Sequence, residues 1–180
     1  INTCTVTNQS DAKSRKMIRK AVKKNPEAVV AVIGCYAQID SKTVAAIDGV
    51  DIVMGTVTRP RLLEYVEKVL RERKPIMDIT ETKGLKAFDA LKLDHFEKNT
   101  RAFLKIQDGC NQYCSYCIIP FARGPIRSKP MDEVLSEARR LTKKGYKEIV
   151  LSGIHTGGYG SDLKNTTFYD LLEALSRLEG

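Results

Sequence analysis

Residues 26–35 read PEAVVAVIGC, and AVVAVI at 28–33 is an unbroken apolar run held between a proline and a glycine. The run is too short for an ordinary helix and rich in β-branched residues. It reads as a strand buried on both faces, the kind found in parallel sheets covered by helices on each side. On its amino side, residues 2–7 are a polar strand-to-loop passage. Ser10 and Asp11 offer a cap for a helix running to about residue 25, with Met17, Ile18, Ala21 and Val22 on its apolar side and lysines on the other. Pro26 stops that helix. On the carboxyl side, a short helix from Ser41 leads to a second buried strand at 51–54. Residues 57–73 then fit a long helix with Leu62, Leu63, Val66, Val69 and Leu70 turned inward. Strand and helix alternate throughout, the pattern of an open parallel α/β sheet.

Residues 74–100 break the alternation with Lys74-Pro75, a turn-like stretch at 80–84 and mixed charge at 89–99, so they read as a connector carrying at most one short strand near 76–79. The second half restarts. RAFLKIQ at 101–107 alternates and ends at Asp108-Gly109, which places Cys110 just past the carboxyl end of a strand. A helix at 131–144 lies between Pro130 and Gly145, YKEIVLSG at 146–153 is the next strand, and the glycine-rich HTGGYG at 155–160 precedes a last helix at 168–179. This βαβα order is the opening of a parallel barrel, whose active sites lie at the carboxyl ends of its strands. The expected division is 1–73 for the open sheet, 74–100 for the linker and 101–180 for the start of the barrel.

Composition excludes several classes. With 42% apolar and 29% charged residues the chain is that of a globular protein, not a disordered one. No apolar run approaches the ~18 residues of a membrane span, and no secretory leader is legible. Five cysteines are an odd number, spaced for function rather than for a disulfide scaffold, so a reducing, cytoplasmic compartment is expected. The net charge of +8 favours polyanionic partners, nucleic acid first, although the same excess also serves plain solubility. It is uneven: Lys13, Arg15, Lys16, Arg19, Lys20, Lys23 and Lys24 oppose only Asp11 and Glu27 in the first 27 residues. That helix can track a phosphate backbone or simply be solvated. The chain opens at Ile1 on what reads as the end of a strand and closes on a helix without a partner, as a piece of a longer protein would.

The chemistry centres on Cys110, Cys114 and Cys117 in GCNQYCSYCIIPFARG at 109–124. Three thiolates on one loop can hold three irons of a 4Fe–4S cube and leave the fourth iron to a small molecule, whereas electron-transfer clusters take four cysteines. Arg123 and Arg127 bring positive charge, which favours thiolate, and could pair with a ligand carboxylate. Tyr116 can shield a cluster or stack on a flat ligand. The competing readings are three incidental thiols or a zinc knuckle, for which only the sequence-distant His95 and His155 could complete the ligand set. Cys4 and Cys35 each follow a strand, so in a parallel sheet both fall on one edge and could converge on a second metal site; buried free cysteine as a small hydrophobe is the alternative. The glycines of 153–160, Gly153 first, allow backbone to approach a bound cofactor, unless the loop is merely flexible. His155 reads as an oriented structural histidine before a proton-transfer group. His95 carries no usable signal.

The loop GCNQYCSYCIIPFARG resembles the cluster loop of radical S-adenosylmethionine (SAM) enzymes. Its pairing with NTCTVTNQSD at 2–11 and IGCYAQ at 33–38 is similar to the methylthiotransferase family, and NTCTVTNQSDAKSRK and LSGIHTGGYG look most like the branch acting on threonylcarbamoyladenosine at position 37 of tRNA. The resemblance implies that Cys110, Cys114 and Cys117 hold a SAM-binding 4Fe–4S cluster, with Tyr116, Arg123 and Gly153 near the cofactor. It implies a 5′-deoxyadenosyl radical that takes hydrogen from adenine C2, and Cys4 and Cys35 as two of three ligands to an auxiliary 4Fe–4S cluster that handles sulfur. The family's remaining auxiliary cysteine falls upstream of Ile1, so this stretch alone is expected to methylthiolate little or not at all. Further implied partners are tRNA and a flavodoxin- or ferredoxin-like electron donor. Methylthiotransferases of other specificity, acting on isopentenyladenosine tRNA or a ribosomal-protein aspartate, and a non-catalytic metal-bearing RNA-binding module are the alternatives.

Overall fold

In the computed structural model, residues 1–88 and 100–178 are described. They form two compact units, Ile1–Lys83 with Tyr113–Arg123, and Gly84–Gln112 with Gly124–Gly180. The segment Tyr113–Arg123, which carries Cys114 and Cys117, belongs to the first of these units. His95 and residues 89–99 of the expected connector lie outside the described residues.

The first unit is built on a four-stranded sheet of β1 (Asn2–Thr3), β2 (Ala31–Gly34), β3 (Ile52–Met54) and β4 (Ile76–Asp78), in that order and all parallel. The run at 28–33 divides its side chains between two faces, as period-two geometry requires. Val30 and Val32 enter a core with Ile18, Tyr36, Ala37, Val44 and Val53. Val29, Ala31 and Ile33 pack against the opposite core of Ile52, Met54, Tyr65 and Val69. Each fully buried Val or Ile contributes about 1.5–3 kcal/mol. The strand expected near 76–79 is thus an edge of this sheet.

Helices α1 (Asn8–Lys24), α2 (Cys35–Ile39), α3 (Ser41–Ala45) and α4 (Leu62–Glu72) make the crossovers, and a fifth short helix, α5 (Ile119–Arg123), packs on α2. Helix α1 starts earlier than expected. Thr7 is its cap, extended in backbone and accepting a hydrogen bond from Ser10 N at 3.1 Å, so Ser10 and Asp11 lie inside the first turn. Met17 is 60% exposed rather than inward. In α4 the buried side chains are Tyr65 and Val69, while Leu63 (76% exposed) and Leu70 face outward, because the stripe of the helix turned to the core is centred on Tyr65 and Val69.

The second unit pairs β5 (Arg101–Lys105) with β8 (Glu148–Ser152) in parallel, joined through α6 (Met131–Lys143), and α7 (Phe168–Ser176) follows. Ala102 and Leu104 of β5, with Ile106 beyond it, meet Val134, Ala138 and Leu141 of α6 in one core that also holds Tyr159 and Leu171. This is the expected βαβα opening. Unforeseen was a short antiparallel ladder, β6 (Gln107–Asp108) with β7 (Arg127–Ser128), which brackets the cysteine loop at its root. No helix among the described residues is long and apolar enough to cross a membrane.

Candidate metal and cofactor site

In the first unit, Cys4 and Cys35 follow register partners. Thr3 lies opposite Gly34 in the β1–β2 ladder, so the two cysteines leave neighbouring strands at the same carboxyl edge. Cys4 is exposed, and Cys35 opens α2 at 4% exposure. Gly34 makes this exit possible. Its φ is +103°, and a Cβ there would press on Thr3 O and the Asn2 side chain. Thr3 Oγ1 also donates to Ile33 O at 2.7 Å and accepts from Ala37 N at 3.4 Å, which ties the β1 end to the start of α2.

The segment with Cys114 and Cys117 is held on that carboxyl edge. Thr56, just past β3, donates from Oγ1 to Ala122 O at 3.0 Å, and Thr82, past β4, donates to Phe121 O at 2.8 Å. Gln38 braces the same edge, accepting from Thr56 N at 3.1 Å and donating to Thr80 O at 3.0 Å. Cys117 N bonds Cys114 O at 2.9 Å in a tight turn, and Tyr113, at φ +45°, lays its ring edge-on to Phe121 at 5.8 Å. Cys114 is exposed and Cys117 half-buried, while Tyr116 stands 89% exposed. Arg123 closes α5, half-buried.

In the second unit, Cys110 is buried, its N–H bonded to Gly124 O at 3.1 Å. The turn before it depends on Gly109 at φ +71°, where a Cβ would overlap the carbonyl oxygen of Pro125. Asp108 is buried beside it, bound by Lys105 Nζ at 2.6 Å, by Gly109 N at 2.8 Å and by Arg127, whose Nη2 lies 3.9 Å away. Arg127 also donates to Pro125 O at 2.9 Å and is itself buried. Its charge therefore neutralises Asp108 within the fold, which differs from the expected role of meeting a ligand carboxylate.

Sequence reasoning missed Gln107. Fully buried, it donates from Nε2 to Asp108 O (2.8 Å) and Gly109 O (2.6 Å), and its Oε1 accepts from His155 N at 2.8 Å. A Cβ at residue 153 would sit 2.8 Å from that same Oε1. The close approach that Gly153 allows here is thus from Gln107, and one side chain fixes both the root of the Cys110 turn and the start of the glycine-rich loop. The available signal was a polar pair, Gln107-Asp108, ending an apolar alternating strand ahead of a glycine. The glycine-rich loop itself is ordered: Thr156–Gly158 is a 3₁₀ turn, and Gly160 N bonds Ser128 Oγ at 2.9 Å. His155 is exposed and enters through its backbone N–H.

All five cysteines are free thiols. Among the described residues no three His, Cys, Asp or Glu side chains converge as ligands to a single ion. A 4Fe–4S cube bonds each thiolate to a different iron, so its donors are spread apart. Exposed Cys114 and half-buried Cys117, soft thiols on a segment that also carries an exposed aromatic ring, suit such a group.

Residues 1–55 match the family described as "Uncharacterized protein family UPF0004", and residues 104–179 match the Radical SAM superfamily. The whole chain is 50% identical to "Threonylcarbamoyladenosine tRNA methylthiotransferase MtaB" of Bacillus subtilis (strain 168), of which it covers 40%. It is 40% identical to the protein of the same name from Aquifex aeolicus (strain VF5), covering 44% of that one. Over 99% of the chain it is 33% identical to "tRNA-2-methylthio-N(6)-dimethylallyladenosine synthase" of Clostridium tetani (strain Massachusetts / E88), covering 41%. The chain spans about two fifths of the length of the curated relatives it matches.

Proposed function

We propose that the chain is part of a radical SAM methylthiotransferase, and that the whole protein inserts a methylthio group at C2 of N6-threonylcarbamoyladenosine at position 37 of tRNA. The observation that carries this reading is the 50% identity, along the entire chain, to a relative named for that substrate.

In this proposal Cys110, Cys114 and Cys117 hold the cluster that meets SAM, and Cys4 and Cys35 contribute to an auxiliary cluster. When bound, the first cluster supplies one electron for SAM cleavage, and the second handles the inserted sulfur. The protein's share is positional. Tyr116, open to solvent, offers a face to SAM or base, and Arg123 offers charge beside the loop. Gln107 and Gly153 set the backbone of the glycine-rich loop where SAM's polar groups would lie. A flavodoxin- or ferredoxin-like donor and a cytoplasmic location complete the reading, as does the division at 1–73, 74–100 and 101–180.

The test is to incubate the full-length protein with SAM, a reductant and tRNA from a strain lacking the modification, then to digest the tRNA and weigh its nucleosides. A methylthio addition to the threonylcarbamoyladenosine is expected. Formation of 5′-deoxyadenosine with no nucleoside changed in mass would sink the substrate assignment. A mass change on isopentenyladenosine instead would move the protein to the other tRNA branch.

A further inference from the structure

Helix α1 turns one side to the core through Ile18 and Ser14, and its opposite side is a stripe of lysines. At 3.6 residues per turn, Lys13, Lys16, Lys20, Lys23 and Lys24 share that side, and all five are exposed. From Lys13 to Lys24 the stripe runs about 16 Å at 1.5 Å per residue. None of the five is paired with a carboxylate among the described residues. Arg15, by contrast, points away from the stripe and donates to Tyr36 Oη at 2.9 Å.

Such a row works against the helix that carries it. Lys13–Lys16, Lys16–Lys20, Lys20–Lys23 and Lys20–Lys24 are like-charge neighbours three or four residues apart, each unfavourable. Lys23 and Lys24 gain from the helix carboxyl end, but Lys13, Lys16 and Lys20 do not. Solvation alone does not call for this one-sidedness. Helix α6 is solvated too, yet its cations share the helix with Asp132, Glu133 and Glu137, and Arg140 lies 3.6 Å from Glu137.

We propose that this stripe of α1 is a docking surface for the phosphate backbone of the RNA substrate. The proposal rests on the tRNA reading above and adds where the polyanion is gripped. Three features single out a nucleic-acid backbone. The charges are evenly strung over several phosphate spacings. Met17 is the one large exposed apolar side chain of α1 among the described residues, too little for the apolar centre of a protein interface. The helix's apolar side is already buried in the unit's own core, so it has none left to lay into a membrane.

The test uses the full-length protein and unmodified tRNA, with the dissociation constant measured across a salt series. A variant with Lys13→Ala, Lys16→Ala, Lys20→Ala and Lys23→Ala should keep its fold, since alanine is the better helix former. Each phosphate that the protein ceases to neutralise lowers the log–log salt slope by about 0.7–0.9, so the fourfold variant should lose about 3 and bind on the order of a hundredfold more weakly at 0.15 M salt. The matching Lys→Arg variant should retain both slope and affinity. An unchanged slope in the alanine variant overturns the proposal. So does loss of affinity for an acidic redox protein with tRNA affinity intact, which would assign the stripe to a protein partner. The functional reading fails separately: wild-type protein that binds tRNA steeply but leaves every nucleoside mass unchanged refutes the reaction and leaves the stripe standing.

Discussion

The two units position their cysteines by different physical means. In the first, backbone register does the placing: a parallel ladder buried on both faces sets Thr3 opposite Gly34, and Cys4 and Cys35 follow as the next residues of adjacent strands. In the second, β5 pairs only with β8 in the described structure, and the turn before Cys110 is set by side chains. Gln107, Asp108 and Arg127 bind backbone atoms one by one. A ladder distributes its load over many equivalent bonds, whereas a polar network concentrates it in a few buried groups that are expensive to leave unpaired. The first arrangement should therefore tolerate loss of single side chains better than the second.

The largest effects are expected at the thiols themselves. In the full-length protein, Cys114→Ala should reduce SAM cleavage to background, because the loop then lacks one of its three thiolates. Cys35→Ala should leave 5′-deoxyadenosine formation intact while stopping sulfur insertion. Both products can be quantified by mass spectrometry from one reaction. Equal loss of cleavage in the two variants would break the division of labour between the sheet edge and the loop.

Next come the two glycines that turn the chain toward a cysteine. Gly34 has φ +103° and Gly109 φ +71°, so alanine at either carries a backbone penalty of about 1–3 kcal/mol. The overlaps differ in kind. At residue 34 the Asn2 side chain can move, although Thr3 O cannot. At 109 both neighbours are backbone, Pro125 O and Gly124 O. Gly109→Ala should therefore be the more damaging, lowering Tm by several degrees at about 2–4 °C per kcal/mol for a chain of this size. Thermal melts of the two variants side by side check this. A smaller loss for Gly109→Ala would mean that the second unit's loop root is the softer one.

The same contrast explains what was legible in the sequence. A buried ladder advertises itself through an apolar run, so AVVAVI at 28–33 gave away the sheet, its two covered faces and the edge shared by Cys4 and Cys35. The spacing of Cys110, Cys114 and Cys117 marked the loop, since thiols are rare and their intervals short. Polar networks leave no periodic trace. Gln107 and Asp108 look like ordinary strand-end residues, and their partners His155, Gly109 and Arg127 are distant in sequence or appear as turn and charge. The outward turn of Leu63 and Leu70 was hidden for a related reason. Helical period alone does not choose between neighbouring stripes when apolar residues stand on both, Tyr65 and Val69 on one, Leu63 and Leu70 on the other.

A smaller, more local effect is expected from Gln107→Met, which keeps the volume but removes one acceptor and two donors. His155 N, Asp108 O and Gly109 O would lose their partner inside the fold, a loss of about 1–3 kcal/mol. The informative measurement is amide hydrogen exchange on the protein without cofactor. The His155 amide should exchange faster, while amides of β2 and β3 stay as protected as in the wild type. An unaltered His155 amide would show that the turn at Thr156–Gly158 holds the loop without Gln107, and the contrast between the units would lose its main support.

The smallest effect concerns Tyr159, which sits in the second unit's core and donates to Lys129 O at 2.7 Å, beside the buried Lys129–Glu137 pair. Burial, with the negative charges of Asp162 and Asp132 adding to it, pushes its phenol up to about 12 from 10.0. Between those values the unfolded chain gives up the proton that the folded chain keeps. The stabilisation is therefore fully present below pH 10 and falls as pH rises through the folded value. Tyr159→Phe should cost about 1 kcal/mol at neutral pH for the lost hydrogen bond, and it should remove this share of the alkaline decline. Urea melts of both proteins at pH 8 and pH 11 test it: the gap between them should narrow at the higher pH. Parallel behaviour at both would mean that the phenol ionises no later in the fold than out of it, and that the Lys129 carbonyl is held by the core packing around it rather than by that hydroxyl.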